Sequence, residues 1–76
     1  MFIFLQRKHH RELDELLDSV EGNASNNYKD AAQKAFKELQ EKFDSLSASG
    51  KLNERQTAYY TGMISRLSVE LKGFHH

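Results

Sequence analysis

The sequence predicts an all-α protein, a small antiparallel up-down-up three-helix bundle that is open to completion by homodimerisation. Three observations predict it. Apolar residues recur at helical spacing in three stretches, glycines and polar turn residues separate those stretches, and no proline interrupts them. Phe36, Leu39, Phe43 and Leu46 follow a 3-4-3 spacing, and Tyr60, Ile64, Leu67 and Leu71 follow 4-3-4. Each set lines one face of a helix, and the turn at Ser49-Gly50-Lys51 brings the two faces together.

The first helix is expected over about residues 3–20, with Phe2, Leu5, His9, Leu13, Leu16, Leu17 and Val20 as its apolar stripe and Gly22 as a left-handed C-terminal cap. Phe4 falls off this stripe, on the polar line through Lys8, Arg11 and Glu15, so it is either exposed or covered by a partner. Arg7, Lys8 and Arg11 sit near the start of the helix and Asp14, Glu15, Asp18 and Glu21 near its end, the reverse of what the helix dipole favours. An antiparallel neighbour compensates in this reading: Lys29, Lys34 and Lys37 approach the acidic end while Glu41 and Asp44 approach the basic one.

Asn23-Ala24-Ser25-Asn26-Asn27 reads as a turn-rich linker without core residues, in which Ser25, Asn26 or Asn27 caps the next helix. The second helix is expected over about residues 28–48. Asp30 sits in its first turn, Ala31, Ala32 and Ala35 allow a close approach, and Lys34, Glu38 and Lys42 pair at i,i+4 on its outer face. The third helix is expected over about residues 54–72. Asn53 and Gln56 form its capping box, and Gly73 ends it.

The 76 residues make one domain, spanning 1–76. A chain this short buries only about 60% of its extended surface, and a single unstapled core of this size supplies about 3–5 kcal/mol. Self-association would add to that margin.

Composition removes most functional classes. Without cysteine there is no disulfide framework, thiolate metal site or cysteine nucleophile. Eleven basic residues balance eleven acidic ones, so the bulk positive field of a nucleic-acid binder is missing. The run Met1-Phe2-Ile3-Phe4-Leu5 is too short for a spanning helix and precedes its charges instead of following them, which is not the layout of a signal peptide. The expected location is therefore cytoplasmic.

Chemistry-bearing constellations are sparse. His10 and Asp14 stand at i,i+4, but two ligands do not make a metal site and His9 lies on the apolar stripe. His75 and His76 carry no weight in this reading. No phosphate loop, nucleophile elbow or metal-protease motif occurs, so the chain is read as no enzyme and as needing no cofactor or metal. Arg7-Lys8-His9-His10-Arg11 is the one basic cluster, and a charged face paired with Glu41, Asp44 and Glu54 accounts for it.

The third helix carries a second stripe of small residues, Ala58, Gly62, Ser65, Val69 and Gly73, which is expected to meet either the first helix or another chain. Tyr59 is adjacent to the core residue Tyr60 and so points elsewhere, beside Met63 and Arg66, a combination enriched at interfaces. Leu52-Asn53-Glu54, Tyr59-Tyr60-Thr61-Gly62 and Arg66-Leu67 together resemble the third helix of the Hha/YmoA family of small helical regulators that modify nucleoid-associated silencers, over about sixteen residues. The family's acidic residue in this helix falls at Ile64 here, and the first half of the chain has no counterpart, so no functional residue carries over.

The function expected from these features is a non-catalytic regulator, inhibitor or adaptor that binds another protein, or a second copy of itself, through helical faces. Its contact residues are Phe4, Arg7, Lys8, Arg11, Tyr59, Gly62, Met63 and Arg66. The alternative is a nucleic-acid-binding regulator using Arg7, Lys8 and Arg11. A peripheral membrane contact through Phe2 to Leu5 ranks third.

Overall fold

The structure is a computed structural model, and it describes residues 10–72. The described residues form three helices: α1 (Arg11–Ser25), α2 (Lys29–Ala48) and α3 (Glu54–Lys72). Phe4, Arg7, Lys8 and His9, together with the expected start of the first helix near residue 3 and its end stop at Gly73, lie outside the described residues.

Contacts between the helices fix the up-down-up order. Lys42 near the end of α2 reaches Glu12 at the start of α1, so those two helices run antiparallel. Gln33 near the start of α2 donates to the Leu71 carbonyl at the end of α3. Tyr60 meets the start of α1 and Arg66 its later turns, so α1 and α3 run parallel. The tightest pairing is α1 along α2, and α3 closes on that pair more sparingly.

Among the described residues the core is built from the stripes read from the sequence, while Phe2, Leu5 and His9 of the first stripe lie outside them. Leu13, Leu17 and Val20 from α1, Ala32, Ala35, Phe36, Leu39 and Leu46 from α2, and Tyr60, Leu67 and Leu71 from α3 are buried together. Leu16, Phe43, Leu52, Met63 and Ile64 pack half-buried around them. Each fully buried large side chain contributes about 1.5–3 kcal/mol against leaving it in water. Ala31, expected on this face, is exposed. At helical spacing it lies one position round from Ala32, whose side chain takes the core side.

The end of α1 differs from the expectation. The helix runs past Gly22 to Ser25 and its cap is Asn26. Tyr28 N–H donates to the Asn23 carbonyl and Asn27 N–H to the Ala24 carbonyl, and Asn27 takes the left-handed conformation at φ 64°. This is a Schellman closure, which needs one residue tolerant of positive φ just beyond the cap. Asn27 provides it, so Gly22 is left as an interior residue with open space beside it. The Asn23 and Asn26 side-chain amides donate to the Ser19 and Gly22 carbonyls and finish the last turn. Residues 23–25 are therefore helix and not linker, and Ala24 packs against the core.

Because these asparagines close α1, none of them caps α2. Its N-cap is Tyr28, without a side-chain hydrogen bond. The same Schellman closure ends α2, with Lys51 N–H on the Leu46 carbonyl, Gly50 N–H on the Ser47 carbonyl and Gly50 at φ 72°. At the start of α3 the capping box is reciprocal: Gln56 N–H donates to Asn53 Oδ1 at 2.8 Å and Asn53 N–H to Gln56 Oε1 at 3.0 Å.

Charges pair across the bundle through other residues than expected. Lys42 Nζ stands 3.2 Å from Glu12 and Arg66 Nη2 stands 3.4 Å from Glu21. Lys29, Lys34 and Lys37 make no ion pair among the described residues, and Lys42 turns to α1 instead of to Glu38. Side chains at the flank of a helix contact reach a neighbouring helix, whereas those on its outer face cannot.

Candidate protein-binding surface

The surface is built on α3, and its inner anchor is Tyr60. This ring is fully buried, and a buried phenol needs a partner for its hydroxyl. Three groups of α1 converge on that oxygen. His10 N–H donates to it at 2.6 Å, it stands 2.5 Å from Asp14 Oδ1, and the His10 carbonyl lies 3.1 Å away. Its single proton goes to the carboxylate, the stronger acceptor. Burial first, and donation to Asp14 next, push the Tyr60 phenol well above the ordinary tyrosine range. His10, the N-cap of α1, offers no side-chain cap of its own, so Tyr60 supplies from another helix what the local sequence lacks.

Tyr59 stands edge-on to Tyr60, with ring centroids 5.0 Å apart. It forms one wall of a groove of about 300 Å³ between α1 and α3, lined also by Asp14, Leu17, Asp18, Glu21 and Met63. Leu17 is buried and Met63 half-buried, so the floor is apolar while the rim is acidic. Partial burial, followed by Asp14 and Glu21, raises the Tyr59 phenol, with Arg66 pulling the other way.

Outward from this groove lies the small stripe. Ala58, Gly62 and Ser65 are exposed, and Val69 is 69% exposed. A Cβ added at Gly62 would meet nothing within 4 Å. Among the described residues α1 does not cover this stripe: it lies against Tyr60, Leu67 and Leu71, on the other side of α3. Arg66 flanks the stripe as a clamp, reaching Glu21 on α1 at 3.4 Å and Glu70 on its own helix at 3.7 Å.

The structure thus gathers Tyr59, Gly62, Met63 and Arg66 on one patch. Arg11 does not join them. It starts α1, where its side chain is 90% exposed and lies 3.6 Å from Glu15, its own i,i+4 neighbour, instead of pairing with Glu41, Asp44 or Glu54. Asp14, which the sequence places one turn from His10 in a pair too small for a metal site, holds Tyr60 with its carboxylate. The sequence carried a signal for that role, because a tyrosine on a core stripe demands a polar partner. Leu17 and Asp18 entered the groove without any such signal.

A second groove, of about 540 Å³, runs along the outer seam of α1 and α2 between Glu12, Glu15, Leu16, Glu38, Glu41, Lys42 and Ser45. Among the described residues no group of three or more histidines and carboxylates has a geometry that could hold a metal ion. No described helix is long and apolar enough to cross a membrane.

No protein-family model, no curated protein and no solved structure matches this chain. The short likeness of α3 to the Hha/YmoA third helix therefore stays local to that helix.

Proposed function

We propose that the chain is a small non-catalytic helical module, a regulator, inhibitor or adaptor of cytoplasmic proteins, that binds another protein or a second copy of itself through the outer face of α3. The observation that carries this reading is the stripe Ala58, Gly62, Ser65 and Val69, which faces water instead of α1. A glycine inside a helix costs about 1 kcal/mol relative to alanine, and Gly62 gains nothing for that cost within the described fold. A helix packed closely from outside would use it. Tyr59 and Met63 beside the stripe supply the aromatic and thioether surface on which protein contacts concentrate.

The nucleic-acid alternative through Arg7, Lys8 and Arg11 gains no support from Arg11, which is engaged by Glu15. Light scattering after gel filtration, combined with capture of proteins from the native host, tests the proposal. Self-association, or a specific protein retained by the wild type and lost with Val69→Glu, is the expected result. A strict monomer at high micromolar concentration that retains no protein would overturn it.

A further inference from the structure

We draw no further inference here: the strongest candidate, the glutamate-rimmed groove of about 540 Å³ along the outer seam of α1 and α2, is a cluster of carboxylates in which Glu12 and Glu15 already pair with Lys42 and Arg11, and nothing in the structure shows what covers it.

Discussion

Tyr60 on α3 and Asp14 on α1 are joined hydroxyl to carboxylate at 2.5 Å, and the same hydroxyl takes the His10 N–H. One side chain thereby orders the first turn of α1 and ties it to the helix that bears the candidate binding face. Tyr60→Phe keeps the ring in the core and removes only this connection. Hydrogen bonds to charged groups are worth roughly 1.5–3 kcal/mol, and this pair stands partly in reach of water, so a loss of about 1–2 kcal/mol is expected. Urea unfolding followed at the helical circular dichroism band measures it. Against a total of about 3–5 kcal/mol, the larger deletion Tyr60→Ala is expected to leave the chain largely unfolded.

The same hydroxyl sets an alkaline limit. In the unfolded chain Tyr60 ionises near 10.0, whereas burial and donation to Asp14 raise it in the folded chain. Below about pH 10 both states keep the proton, and the stabilisation is fully present. As the pH rises beyond that value the unfolded state loses its proton first, so stability falls, by up to about 1.4 kcal/mol per pH unit. The wild type should therefore lose its advantage over Tyr60→Phe on going from about pH 8 to about pH 11. An advantage that persists unchanged across that span would refute the assignment.

The stripes of α1, α2 and α3 were legible because burial imposes a 3.6-residue period, and Leu13, Leu17, Val20, Leu39, Tyr60, Leu67 and Leu71 all follow it into the core. The capping box of Asn53 and Gln56 was legible for a similar reason, since both halves lie within one turn. The end of α1 was not. Gly22 and Asn27 both tolerate positive φ, and the choice between them depends on Ala24 finding core to pack against, which is a tertiary fact. The partner of Tyr60 and the direction of the small stripe depend likewise on how α1 and α3 are rotated about their axes. Of the binding patch, the cluster of Tyr59, Gly62, Met63 and Arg66 could be read from helical spacing, but its acidic far wall belongs to α1 and could not.

Gly62 and Gly50 should answer oppositely to the same change. Gly62 is helical with open space where a Cβ would go, so Gly62→Ala is expected to stabilise the isolated chain by about 0.5–1 kcal/mol through helix propensity. Gly50 holds φ 72° at the close of α2, where alanine is strained, and Gly50→Ala should destabilise by about 1 kcal/mol. Paired urea curves decide the signs. If Gly62→Ala also reduces partner capture while raising stability, the glycine serves contact and not folding.

Asn53→Ala removes one half of the capping box that starts α3. A cost of about 1 kcal/mol is expected, with Asn53→Asp retaining most of the stability because aspartate accepts the same hydrogen bond. Amide exchange should speed up in the first turn of α3, Glu54 to Thr57, and leave Leu67 to Leu71 little changed. Uniform acceleration along the helix would show that the cap governs the whole of α3.

The outer face of α3 as a protein-contact surface is tested most directly by photo-crosslinking in the native host, with a photo-reactive residue replacing exposed Val69 in one variant and exposed Lys34, on the outer side of α2, in another. The expected result is a discrete covalent adduct, to a partner or to a second copy, from position 69 and none from position 34. No adduct from position 69, or the same adducts from both positions, would contradict it.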